Sequence, residues 1–381
     1  MKDSYELGPF RPPSEAFSLL LRLTRNCPWN RCRFCGMYKT EKFQLRSVAE
    51  IKQDIDAVKR IYDRFVATAW RSGMPGRLQE VARALLQQPT DECTRNVALW
   101  LYGGGHTVFL QDANSLIMRT PELVEVLKYI RQTFPQVDRI TSYGRAKTAA
   151  RKTLEELQQI HEAGLTRLHI GLESGSDTVL KLMDKGVTPE EQITGGQKVV
   201  AAGISLSEYV LLGLGGKEHS EEHAIETARV LNAINPDFIR LRTLSVGPGL
   251  PMYEDIISGT WTQLTDEEMV QELRLLIENL NCRSRFVSDH INNLLQEVEG
   301  DLPAEKERLL GIIDRFLALP PEERTNFRVG RRARIYVQLD ELADPRKHRV
   351  VEEIIHELTG GEVDADPEAV ERLLQGFFVP L

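Results

Sequence analysis

The sequence predicts an α/β fold: a partial (β/α)6 TIM-like barrel followed by a mainly helical C-terminal extension. Three observations carry that expectation. Six short apolar, β-capable segments recur between Ser18 and Val246, and stretches with three- and four-residue apolar spacing separate most of them. Beyond Val246 helix signals dominate. Intervals of this length suit right-handed crossovers between parallel strands. Two more units would be needed for an eight-unit barrel, and the sequence does not present them.

Residues 1–17 are mostly polar and interrupted by Pro9, Pro12 and Pro13, so they read as an extended lead-in. Residues 18–24 form the first expected strand, which runs into the cysteine-rich loop. Residues 45–88 are helical in pattern, with Ile51, Ile55, Val58, Ile61 and Phe65 on one face and a break at 72–76. The second strand is expected at 97–102, ending in Gly103-Gly104-Gly105-His106. Thr120 and Pro121 cap and begin a helix carrying Leu123, Val124, Leu127 and Ile130. The third strand falls at 140–143, and a helix at 153–163 ends at Gly164. The fourth, at 165–172, ends in Glu173-Ser174-Gly175-Ser176.

Thr188, Pro189 and Glu191 have the spacing of a capping box and start the next helix. Residues 204–212 form the fifth strand, followed at once by Gly213, Gly215 and Gly216. A helix opening at Ser220 precedes the sixth strand at 237–246. Thr265 and Glu268 announce a further helix; 302–319 and 352–374 also read as helical, and 333–339 as one short strand. The expected domains are a lead-in at 1–17, a barrel core at 18–285 and a C-terminal extension at 286–381.

The net charge of −8 over 381 residues gives no global support for nucleic-acid binding. The charge is uneven, however. Residues 1–90 hold 16 Lys or Arg against 9 Asp or Glu, a local excess of +7 around the cysteine loop. A solvated surface or an anionic ligand accounts for it. No run of about 20 apolar residues is present, so a cytoplasmic location with no membrane partner is the expectation.

Three of the five cysteines, Cys27, Cys32 and Cys35, lie within nine residues. Soft thiolates so grouped point to a metal or cluster site, yet no fourth Cys or His stands nearby to close a tetrahedral zinc site. A cluster held by three cysteines leaves one iron open to a small molecule. Cys93 and Cys282 are read as ordinary thiols.

The Cys-Arg-Phe-Cys segment and the order of the later motifs resemble the radical S-adenosylmethionine (SAM) superfamily. The spacing here is four and then two residues, against the familiar three and two. The resemblance implies one four-iron, four-sulfur cluster on Cys27, Cys32 and Cys35, with SAM bound at the open iron. It implies reductive cleavage to methionine and a 5′-deoxyadenosyl radical, with an external one-electron reductant such as flavodoxin or ferredoxin. Phe34 is then an adenine contact or a packing residue of the loop. Gly103 and Gly104 resemble the glycine pair that receives the methionyl amino group after the second strand, and Glu173 resembles a ribose contact. Gly213 and Gly215 resemble the glycine-rich adenine or ribose region. The Gly171–Met183 region is similar to the branch of radical methylthiotransferases and oxygen-independent coproporphyrinogen dehydrogenases.

Arg240 and Arg242 alternate to one side of the sixth strand and are candidates for the cofactor carboxylate, an acidic substrate or a structural ion pair. His106 is a candidate for substrate or proton transfer, or a loop histidine. His290, with Asp289 and Asn292 beside it, is a candidate acid–base residue. The leading expectation is a radical SAM oxidoreductase or transferase acting on an unidentified small-molecule substrate, with nucleic acid not favoured. The alternatives are an RNA-modifying radical SAM enzyme and a structural metal-binding interaction protein.

Overall fold

A computed structural model describes residues 3–359. The fold is mixed α/β, with parallel strands in a partial-barrel-like sheet and a helical extension. The chain divides into two compact units. One comprises the segment up to Asn30, Thr40–Gly171 and Thr194–Leu206; the other comprises Arg31–Lys39, Leu172–Ile193 and the segment from Ser207 onward.

In the first unit the order is β1 (Leu19–Arg22), β2 (Thr107–Gln111), β3 (Arg139–Gly144) and β4 (Leu165–Glu173), all parallel. The helix Val48–Arg71 begins with a capping box, in which Ser47 and Glu50 satisfy each other's backbone N–H. It buries Ile51, Ile55, Val58, Ile61 and Phe65, as the spacing requires. The helix Leu154–Ala163 has the same device in Thr153 and Glu156, and ends at Gly164 with φ 129°. Thr120 is already helical, and its hydroxyl donates to Glu156 instead of capping.

The second strand corrects the sequence expectation. Residues 97–102 belong to the helix Glu92–Tyr102, whose N-cap is the Asp91 side chain accepting from the Thr94 N–H. Its apolar run misled because Val97, Ala98, Trp100 and Leu101 are all buried, so the helix shows little alternation. The true strand lies just beyond, at Thr107–Gln111.

In the second unit β5 (Ser205–Leu212), β6 (Phe238–Thr243) and β7 (Ser284–Val287) run parallel, and β8 (Gly300–Leu302) lies antiparallel on β7. The last two strands were not expected: each is only three or four residues long. Residues 333–339 form no strand; Arg331 donates to the Tyr336 carbonyl there. The C-terminal helices are Lys306–Leu317, Pro321–Arg332 and Pro345–Thr359; the expected helix at 352–374 otherwise lies outside the described residues.

Candidate functional site

Loops at the carboxyl ends of parallel strands are where such folds carry ligands. In the first unit β1 leads to Cys27, whose sulfur accepts a hydrogen bond from the Asn30 N–H at 3.4 Å. Asn26 and Asn30 both take positive φ, 67° and 50°, bending the chain around this cysteine. The turn is anchored by Asp112, the residue that follows β2. Its carboxylate accepts from the Asn26 N–H at 2.9 Å and from Arg22 at 2.6 Å. Burial still raises the Asp112 pKa.

Sequence reasoning missed Asp112 because the second strand was placed too early. The correction also moves Gly103, Gly104 and His106. They sit at the entering end of β2, not after it, with Gly103 closing a helix. His106 is 57% exposed and its Nδ1 lies 2.9 Å from the Gln136 carbonyl, the setting of a loop histidine. The expected glycine-pair role after a second strand, and a chemical role for His106, therefore lose their positional basis.

Several of the arginines counted in that excess are engaged with carboxylates. Arg22 and Arg25 pair with Glu6, and Arg46 pairs with Asp54 at 2.6 Å.

In the second unit Cys32 and Cys35 are partly exposed and pack against a core of Phe34, Val179, Met183, Leu211, Leu214, Leu244, Met252 and Trp261. Backbone bonds fix the segment: the Arg33 N–H donates to the Met183 carbonyl at 3.0 Å, and the Met252 N–H to the Arg33 carbonyl at 3.3 Å. Phe34 is buried, with the Lys185 ammonium 5.8 Å from its ring centre. Lys185 also donates to Glu173 at 3.0 Å.

Glu173 adopts φ 63°, an uncommon conformation for a residue with a β-carbon and one that clusters at functional sites. A buried relay stands behind it. Ser174 Oγ lies 2.8 Å from His223 Nδ1, and His223 Nε2 lies 3.6 Å from Glu272. Glu272 accepts from the Gly213 N–H at 2.7 Å and from Ser220 at 2.6 Å. The relay thus ties the loop after β4 to the loop after β5. Gly213, with φ 80°, has its N–H committed to this carboxylate, and a β-carbon on Gly215 would meet the His219 carbonyl at 2.7 Å.

At the end of β6, Arg240 and Arg242 converge on one carboxylate, at 2.8 Å and 3.0 Å from Asp289. The loop after β7 supplies Asp289 and His290, so the sixth and seventh strands deliver these groups together. His290 Nδ1 accepts from the Asn292 N–H, so Asn292 orients the ring through its backbone while Asp289 serves the arginines. Burial and the Arg242 guanidinium pull the His290 pKa down to about 4.

A family model described as the radical SAM superfamily matches residues 21–231, more than half of the chain. The chain belongs to the radical SAM superfamily. Curated relatives include the tRNA-2-methylthio-N(6)-dimethylallyladenosine synthases of Alkalilimnicola ehrlichii and Dictyoglomus thermophilum. The first is 31% identical over 143 residues, 37% of this chain and 30% of the relative. The second is 32% identical over 141 residues, 36% of this chain and 31% of the relative. The matched segment thus spans about a third of the length of these relatives. Among solved structures, coproporphyrinogen III oxidase from Escherichia coli aligns with TM-score 0.45 and 15% identity, covering 68% of this chain and 51% of that one.

Two consequences follow for this radical SAM chain. The expectation that disfavoured nucleic acid is overturned, since the curated relatives are named for a tRNA product. Membership also implies SAM and an iron–sulfur cluster. The donor set fits: three partly exposed cysteines within nine residues of sequence, none in a disulfide, with the Cys27 sulfur receiving an N–H···S bond. Among the described residues, no three Cys, His, Asp or Glu side chains are gathered as a ready metal cage. No described helix is long and apolar enough to cross a membrane.

Proposed function

We propose that this chain is a radical SAM enzyme that modifies RNA. The observation that carries the reading is the similarity, at 31% identity over 143 residues, to a relative named as a tRNA-2-methylthio-N(6)-dimethylallyladenosine synthase. Cys27, Cys32 and Cys35 would hold the cluster, which would supply an electron for the reductive cleavage of SAM. An external one-electron donor such as flavodoxin or ferredoxin restores it.

The protein's own residues position and shield. The apolar core behind Cys32 and Cys35 limits water on one side of their loop. Glu173, held at its strained φ and paired with Lys185, is the candidate ribose contact. Arg22, Arg25 and Arg46 are already engaged with carboxylates, so RNA affinity is not assigned to them.

The test is anaerobic product analysis of reconstituted protein with reductant and SAM, with Cys32→Ala as control. Methionine and 5′-deoxyadenosine form with wild type alone, and the rate rises when tRNA is added. Cleavage that ignores RNA, in a protein that does not bind it, overturns the RNA reading. Cleavage that persists in Cys32→Ala overturns the role of that cysteine.

A further inference from the structure

The cluster at the ends of β6 and β7 carries more positive than negative charge. Arg240 and Arg242 share one carboxylate, and their side chains are only 9% and 11% exposed. The Arg240 Nε is buried and has no hydrogen-bond partner among the described residues. The Arg46 Nε of the first unit is likewise without a hydrogen-bond partner among the described residues, so this atom shows that Arg240 can donate a further bond and no more. Arg242 spends Nη1 on the Leu241 carbonyl and on Asp289, and its guanidinium lies 4.7 Å from the Tyr209 ring centre.

The neighbouring histidine does not offset the imbalance. With its pKa pulled down to about 4, His290 is neutral at pH 7 and contributes no charge. The cluster therefore holds two cations and one anion. Asp289 is one-third exposed, so its carboxylate marks the side open to a ligand. Arginine forks match the oxygens of phosphate in planar, two-point geometry.

We propose that Arg240 and Arg242, with Asp289 between them, form an oxyanion-binding site that takes a phosphate group of the substrate. Assigning that phosphate to RNA rests on the function proposed above; the site itself does not. Asp289 competes with the incoming phosphate for the same guanidinium donors. Asp289 also opposes the two buried guanidinium charges within the fold.

The experiment uses the full reconstituted chain and inorganic phosphate as probe, with thermal unfolding followed against chloride at equal ionic strength. Phosphate raises the midpoint of wild type. In Arg240→Gln the apparent phosphate affinity falls on the order of tenfold or more. Asp289→Asn moves the other way and binds phosphate more tightly, since the competing carboxylate is gone. Both variants retain at least one arginine with a hydrogen-bonding partner, so folding is preserved; a far-ultraviolet dichroism spectrum checks it.

SAM affinity, measured by calorimetry, stays within about twofold in Arg240→Gln, because the site belongs to the substrate. Phosphate acting no differently from chloride on wild type overturns the site. So does a loss in Arg240→Gln confined to SAM binding, which would give the arginine to the cofactor carboxylate. RNA binding that survives in Arg240→Gln while phosphate is without effect sinks this site and leaves the RNA reading standing. Phosphate binding by wild type with no RNA binding does the reverse, and points to a smaller phosphorylated substrate.

Discussion

Two charged networks in this molecule differ in one respect. In the first unit, Arg22, Arg25 and Arg46 face Glu6, Glu50, Asp54 and Asp112, so no cation is left over once the carboxylates are counted. In the second, Arg240 and Arg242 face Asp289 alone. A balanced network can serve as framework, since each desolvated charge has its counter-charge already in place. An unbalanced one is waiting for something. The number of arginines therefore says less about binding than the number left over once local acids are subtracted. The arginines of residues 1–90 illustrate the point: Arg22, Arg25 and Arg46 are already engaged with carboxylates.

The comparison can be broken most sharply at Arg22. Its removal in Arg22→Ala leaves Asp112, whose side chain is fully buried, without its cation. A loss of about 3–5 kcal/mol in denaturant unfolding is expected. A loss below about 1 kcal/mol would mean that the first network is no more of a framework than the second.

Arg240→Gln should destabilise the fold far less, by about 1 kcal/mol, because Arg242 continues to pair with Asp289 and the excess charge is relieved. Equal losses at Arg22 and Arg240, measured in the same unfolding assay, would erase the distinction.

The smallest effect is read against pH. His290 titrates near 4 when folded, against 6.5 for an unperturbed imidazole. Between those values the unfolded chain binds the proton more readily, so stability rises with pH through this window and is lost as pH falls through it. His290→Gln flattens that part of the profile. A proton nuclear magnetic resonance titration placing the His290 midpoint above 7 would show the ring to be mostly charged at neutral pH and would add to the positive excess.

Much of the fold was legible because helix starts write themselves in short code. Thr188 with Glu191 and Thr265 with Glu268 are capping boxes in the sequence and in the structure. The second strand was not legible by the same route. An all-round buried helix and a buried strand share an apolar run, and the deciding signal was the Asp91 cap six residues ahead of Val97. Reading that cap would have pushed the strand to Thr107–Gln111 and exposed Asp112 as the residue at its end. The three cysteines were legible because their spacing is local. The convergence of Arg240, Arg242 and Asp289 was only half legible: alternation along β6 put the arginines on one side, but the carboxylate arrives on the loop after a seventh strand of four residues, too short to announce itself.

The relay through Ser174, His223 and Glu272 has a consequence for how the molecule breathes. The Gly213 amide is donated to Glu272, and the Gly175 amide to Thr227, one helical turn from His223. Both protons are locked by side chains from helices, not by a strand partner, in segments that by composition look loose. Their exchange with deuterium is therefore tied to withdrawal of those helices. The loops that follow β4 and β5 share one clock, and the two glycine-rich stretches will label late and together.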